Sequence, residues 1–154
     1  MALSALVEKG ASVIDVGTDH GFLPVFLAQS GTCPKIYASD ISAASLAAAL
    51  RSAEKFNVSD DITFLVTSGL DGITPEDVNT IIIAGLGGET ILSILEKAPW
   101  TKYNNITLIL QPQSKVDLLF RFLYDNGYKI IQTQSVIDKS KHYTVILAKG
   151  DKKS

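Results

Sequence analysis

The chain has 154 residues, 46% of them hydrophobic and 19% charged, which suits a single globular domain with a buried core. Its apolar runs, such as Ile81-Ile82-Ile83-Ala84, are far shorter than the ~20 residues a membrane helix needs, and no basic region precedes an apolar N-terminal run, so a soluble, cytoplasmic protein is expected. The lone Cys33 excludes an internal disulfide, and His20 and His142 are too few and too separated for a metal cluster, so no metal is expected. Net charge is −2 but unevenly spread: residues 1–96 carry 4 basic and 12 acidic side chains (−8), residues 97–154 carry 10 basic and 4 acidic (+6). The basic half offers either a face for a nucleic-acid backbone or a set of solvated edge lysines.

In chain order, short apolar runs that read as strands buried on both faces occur at Ser12 to Val16, Lys35 to Ser39, Ile62 to Val66, Thr80 to Ala84 and Ile106 to Leu110. Helical spacing appears from Ser42 to Phe56, with Ser42 as cap and Leu46, Leu50 and Ala53 on one face. It recurs from Gly88 to Lys97, through Ile91, Leu92 and Leu95, and from Lys115 to Asp125, through Leu118, Leu119 and Phe122, before Gly127. Two extended runs, Tyr128 to Ile137 and His142 to Lys149, joined by Asp138-Lys139-Ser140-Lys141, predict a terminal antiparallel hairpin. The alternation predicts an α/β fold, a doubly wound, mainly parallel seven-stranded sheet in one domain spanning residues 1–154.

In such a sheet ligands bind beyond the carboxyl ends of the strands, so the loops that follow the runs carry the chemistry. The first, Asp15-Val16-Gly17-Thr18-Asp19-His20-Gly21, combines a glycine with two carboxylates. A dinucleotide would bring its pyrophosphate here and would want G-x-G-x-x-G, but Asp19 stands in place of the second glycine. S-adenosylmethionine has no phosphate and carries an ammonium and a sulfonium, which a carboxylate stabilises. The second loop holds Asp40 and Ile41; Asp40 lies 23 positions after Gly17, a distance suited to accepting both ribose hydroxyls. The third, Thr67-Ser68-Gly69-Leu70, offers a hydroxyl and an apolar surface for an adenine. The fourth, Ala84-Gly85-Leu86-Gly87-Gly88-Glu89, allows close backbone approach between a strand and a helix start. The expected cofactor contacts are therefore Asp15, Gly17, Thr18, Asp40, Ile41, Ser68, Gly69, Leu70, Gly85, Leu86 and Gly87. Each of these residues also has an ordinary use in turns and caps, and His20 taken alone reads equally as a structural hydrogen-bonding residue.

Four ordered motifs, Asp15-Val-Gly-Thr-Asp-His-Gly-Phe-Leu-Pro24, Ile83-Ala-Gly-Leu-Gly-Gly88, Leu108-Ile-Leu-Gln-Pro-Gln113 and His142-Tyr-Thr-Val-Ile-Leu147, resemble those of the bacterial tRNA adenine-N1 methyltransferases that modify position 22 in the D-arm, the TrmK-like family. The resemblance covers nearly the whole chain and implies the Rossmann-like class I methyltransferase fold with its closing hairpin, S-adenosyl-L-methionine as cofactor and tRNA as partner. Departures from the family pattern stand at Gly21, Phe22, Ser68, Leu86, Gln113 and Thr144, and the family's C-terminal helical extension is expected to be absent. On this reading Asp19 and His20 are the catalytic candidates, with Asp19 stabilising the cationic methylated adenine. Asp15 holds the methionine end of the methyl donor, Phe22 and Gln111 meet the base, and Lys115, Arg121, Lys139 and Lys141 meet phosphates. Two other readings remain open: a catalytically silent S-adenosylmethionine- or nucleotide-binding module that recruits RNA, and an NAD-linked enzyme on a similar sheet.

Overall fold

The computed structural model describes residues 3–153. Its core is one seven-stranded sheet with strands β1 (Ser12–Val16), β2 (Lys35–Asp40), β3 (Thr63–Val66), β4 (Thr80–Leu86), β5 (Thr107–Pro112), β6 (Tyr128–Asp138) and β7 (Lys141–Gly150). The spatial order is β3-β2-β1-β4-β5-β7-β6; the first five are parallel, and β7 runs antiparallel to both β5 and β6. The expected doubly wound sheet with a closing hairpin is thus present. The hairpin turn is tighter than expected, because Asp138 pairs with Lys141 and only Lys139 and Ser140 lie outside the ladder. Both have positive φ (49° and 67°), as a two-residue turn matched to strand twist requires.

Alternate residues of the central strands feed opposite cores. Ile14, Ile81, Ile83, Leu108 and Leu110 pack with Ile91 and Leu95 of α3 (Gly88–Glu96) and with Leu119 and Leu123 of α4 (Val116–Asp125). Val13, Ile82 and Ile109 pack instead with Leu23, Val25 and Leu27 of α1 (Phe22–Ser30) and with Ala53 of α2 (Ala43–Lys55). Since β1, β4 and β5 are covered on both faces, nearly every residue in them is apolar, which is why they read as continuous runs.

The Ser42 hydroxyl accepts from the Ser45 N–H and starts α2 as expected. Leu50, however, is exposed, and Ala49 is buried with Leu46 and Ala53, so the face toward the sheet is lined largely by alanine and lies close to it. On α4 the structure likewise exposes Leu118 and buries Leu119 with Leu123. The helix α1 has no counterpart among the predicted elements. Its sequence Phe-Leu-Pro-Val-Phe-Leu-Ala-Gln-Ser shows little polar alternation, and Pro24 is tolerated because the first helical turn needs no N–H partner.

Candidate active site

Strand order reverses between β1 and β4: the chain winds from β1 out to β3, then crosses back to β4. Loops leaving these two strands diverge and open a crevice at their carboxyl ends. There lies a cavity of about 520 Å³, lined by residues including Gly17, Asp19, Asp40, Ile41, Ser68 and Gly69. That volume is within the ~300–1,000 Å³ common for small-molecule sites. Volume alone does not single it out, since a cavity of about 520 Å³ also opens beside Lys35, Tyr37, Asp60 and Asp61. That second cavity lies at the amino end of β2, away from the diverging loops.

The β1–α1 loop is held by the end of β2. The N–H groups of Gly17 and Thr18 both donate to the Ser39 carbonyl at 2.9 Å, and the Asp19 N–H donates to Asp40 Oδ2 at 3.1 Å. Three successive amides are therefore spent within the protein. A pyrophosphate needs such amides free, so the loop that cradles a dinucleotide elsewhere cannot do so here in this conformation. The second Asp40 oxygen accepts from Ser42 N–H at 2.9 Å. Gly21 has φ +75°, and a β-carbon on it would stand 2.7 Å from Ala49 Cβ, so the residue lets α1 start hard against α2. The departure at Gly21 falls at this contact.

Of the expected cofactor contacts, Gly17, Asp40, Ile41, Ser68, Gly69, Gly85 and Leu86 line the cavity, together with Asp19; Asp15, Thr18, Leu70 and Gly87 do not. Asp15 is 6% exposed, and its Oδ2 accepts from the Thr18 hydroxyl at 2.9 Å. Burial pushes its carboxyl from 3.8 up to about 7; the Thr18 hydrogen bond lowers it and the neighbouring Asp40 carboxylate raises it further. The geometry makes Asp15 a brace under the loop. Leu70 belongs to the core beside α3.

The glycine run also divides. Gly85 borders the cavity, whereas a β-carbon on Gly88 would stand 2.5 Å from the Lys115 carbonyl oxygen and 2.6 Å from that of Ser114. The Gly88 N–H donates to that Ser114 carbonyl at 2.8 Å. This contact ties the start of α3 to the β5–α4 connection. It leaves the first amide of that helix engaged within the protein.

Asp19 lines the cavity, whereas His20 and Phe22 do not; the Asp19 and His20 side chains are 71% and 62% exposed, with Asp19 Oδ2 4.0 Å from His20 Nε2. The His20 ring stacks on Phe22 with centroids 5.5 Å apart, and Phe22 is 64% exposed. Gln111 lies within β5 beside Ala84 and does not reach the lining, whereas Gln113 past the strand end does. Thr90 and Ile94, one helical turn apart on α3, also face the cavity. The departure noted at Gln113 was the one sequence signal for this third group; nothing in the spacing of Thr90 or Ile94 distinguished them from core-facing helix residues.

The basic candidates are all exposed. Leu110 pairs with Ile146, and β7 continues back to Lys141, so the hairpin extends past the carboxyl end of β5 at Pro112 by about three residues, about 10 Å. Lys139 and Lys141 therefore lie at the cavity end of the sheet, as does Lys115, the residue before α4. Arg121 sits six residues along α4, about 9 Å further from that end.

An alternating sheet with its reversal at β1 and β4, a crevice there that carries Asp19 and Asp40, and an antiparallel β7 between β5 and β6 together define a Rossmann-like α/β fold. A family model described as a methyltransferase domain matches residues 1–146, and the chain belongs to that family. It is 29% identical over 147 residues to the tRNA (adenine(22)-N(1))-methyltransferase of Bacillus subtilis, covering 95% of this chain and 62% of the relative. The chain spans less than two thirds of the length of the curated tRNA methyltransferases it matches. A Streptococcus pneumoniae protein solved in complex with S-adenosyl-L-methionine superposes with TM-score 0.90 at 29% identity, over 96% of this chain and 70% of that one. Mycoplasma capricolum TrmK, solved with S-adenosyl-homocysteine, superposes with TM-score 0.85 at 26% identity, over 99% and 68%. No helix among the described residues is long and apolar enough to cross a membrane.

Proposed function

We propose that this domain transfers a methyl group from S-adenosyl-L-methionine to N1 of an adenine in tRNA, position 22 of the D-arm in keeping with the named relative. The observation that carries the reading is the crevice itself: it presents the Asp19 and Asp40 carboxylates and no lysine or arginine, and the adjoining loop amides are already engaged. A cationic, phosphate-free cofactor fits this set, whereas a dinucleotide does not.

When bound, the cofactor supplies an electrophilic methyl group on a positively charged sulfur. The chain does the rest by placement. Asp40 accepts ribose hydroxyls with the lone pairs its two backbone partners leave free, and Ile41, Ser68 and Gly69 bound the adenine end. Asp15 and Thr18 hold the loop from beneath. Adenine N1 has an in-plane lone pair, so no base is needed to create the nucleophile, and in-line positioning supplies most of the acceleration. N1 lies on the Watson–Crick edge, so the base must leave its stack; His20 and Phe22, next to Asp19 in the chain, offer it an exposed stacked pair of rings. Methylation leaves adenine cationic, and the exposed Asp19 carboxylate stabilises that charge. Lys115, Lys139 and Lys141, with Arg121 further back, meet the phosphates.

The test is titration with S-adenosyl-homocysteine, followed by transfer of labelled methyl to unmodified bacterial tRNA and mapping of the modified base. Asp19→Ala is expected still to bind S-adenosyl-homocysteine, through Asp40 and the rest of the lining, and to lose turnover by ~100-fold or more. Absence of cofactor binding overturns the proposal. Binding without transfer, both by this chain and by the chain joined to the C-terminal region of the Bacillus relative, establishes instead a silent binding module.

A further inference from the structure

The carboxylate of Asp40 faces the cavity and at the same time joins two loops. Its Oδ2 accepts the Asp19 N–H at 3.1 Å and its Oδ1 accepts the Ser42 N–H at 2.9 Å. Ser42 is the cap of α2, a fixed point; Asp19 is not a glycine yet has φ +54°, a conformation that costs a non-glycine residue about 1 kcal/mol or more unless something holds it. The Asp19 side chain is 71% exposed and its Oδ2 lies 4.0 Å from His20 Nε2, too long for a tight side-chain bond. The backbone hydrogen bond to Asp40 is what pins the residue.

We infer that Asp40 is a positioning residue for Asp19, coupling occupation of the ribose site to placement of the carboxylate at the mouth. This rests on the proposed methyl-transfer reading for its consequence, though not for its geometry. A carboxylate offers about four lone-pair sites. Two are taken by the Asp19 and Ser42 amides, and two remain for a vicinal diol, so a ribose bound here completes the set without displacing either amide. The diol also orients the carboxylate in the plane that serves Asp19. Asparagine cannot reproduce this, because its single carbonyl oxygen can face one loop only and its amide group turns N–H toward the N–H of the other.

The experiment uses the whole chain without cofactor, labelled for amide NMR. In Asp40→Ala, which removes both acceptors, the Asp19 amide is expected to exchange with solvent ~10-fold faster or more and to move upfield, while the Gly17 and Thr18 amides on the Ser39 carbonyl stay protected. An unchanged Asp19 amide overturns the inference, whatever happens to cofactor affinity. Kinetics supply the second readout: a residue that only binds ribose raises KM, and saturating cofactor restores kcat. A residue that also places Asp19 leaves kcat ~10-fold low or more at saturation. Full recovery of kcat overturns the coupling. Should Asp40→Ala not fold, saturation of the unaltered chain with S-adenosyl-homocysteine decides the matter: the Asp19 and Ser42 amides must shift together, and a still Asp19 amide refutes the inference. Failure of methyl transfer to tRNA, by contrast, leaves the amide result intact and counts against the proposed function alone.

Discussion

Replacing Gly88 by alanine adds a single methyl group where the backbone of another loop already stands. The new β-carbon would lie 2.5 Å from the Lys115 carbonyl oxygen, 2.6 Å from the Ser114 carbonyl oxygen and 3.0 Å from the Lys115 carbonyl carbon. All three are main-chain atoms, so no side chain can rotate away to relieve the contact. Gly88 is itself buried at the start of α3, where alanine is intrinsically the better helix former by about 1 kcal/mol. Two effects of opposite sign therefore compete. Overpacking of this kind costs about 1–3 kcal/mol, sometimes more, and separating the loops also weakens the 2.8 Å bond from Gly88 N–H to Ser114 O, worth about 1 kcal/mol. A net loss of about 2 kcal/mol results, roughly a 4–8 °C fall in melting temperature for a domain of this size. Urea unfolding with linear extrapolation measures it, with the slope expected to match the parent chain. A loss under about 0.5 kcal/mol refutes the claim that α3 and the β5–α4 connection are locked through this glycine. The cavity should feel the change too, because Gln113 immediately precedes the displaced segment.

Three further outcomes follow from the same structure. The Asp15 carboxyl is raised to about 7 in the folded chain, so between pH ~4 and ~7 the unfolded chain gives up this proton while the folded chain retains it. This contribution to stability is therefore full at acid pH and is lost as pH rises through 7, by on the order of 4 kcal/mol; the stability difference between parent and Asp15→Asn should fall over that interval, and a flat difference disproves burial as the cause. The Tyr128 hydroxyl is buried and lies 2.7 Å from Thr101 Oγ1, which itself donates to Ala98 O, so Tyr128→Phe removes one satisfied bond and should cost about 0.5–1.5 kcal/mol in chemical denaturation; no change would show the pair to be replaceable by packing alone. If Lys115, Arg121, Lys139 and Lys141 each meet an RNA phosphate, the logarithm of affinity for tRNA should fall against the logarithm of salt with a slope of about −3, reduced by ~0.7–0.9 in Lys139→Ala, and salt-independent binding would remove phosphate contact from the picture.

The strands were legible because burial on both faces leaves an unbroken apolar run, and the position of β1 is identical in sequence and structure. The first helix, α1, escaped because it is apolar on most sides, so helical periodicity has nothing to contrast. In α2, Leu50 and Ala49 exchange places relative to expectation, since size and hydrophobicity favour leucine while the short distance to the sheet favours alanine. The site divides along similar lines. Gly17, Asp40 and Ser68 could be found because a strand end fixes where the next loop starts. Asp15 reads in sequence as one more ligand carboxylate although it falls inside the first apolar run, and its burial and hydrogen bond with Thr18 show that it is enclosed. Thr90 and Ile94 become visible only when α3 has been laid on the sheet, because a helical pattern alone does not say which polar edge meets a cavity.

The insertion of β7 between β5 and β6 orders events in time as well as in space. The strand β6 leaves the ribosome before β7, yet among the described residues β7 is the only strand it pairs with. Until Lys141–Gly150 has emerged, β5 is an open edge and β6 has no place in the sheet. Ile146 and Ala148, which complete the core between α4 and β5, arrive last. The amino-terminal half, with its crevice residues Gly17 and Asp40, can take shape during synthesis, whereas the basic turn beyond the carboxyl end of β5 is set only by the final strand. A chain interrupted before that strand would hold parts of a pocket and expose two unpaired edges, the state in which such sheets recruit one another into aggregates.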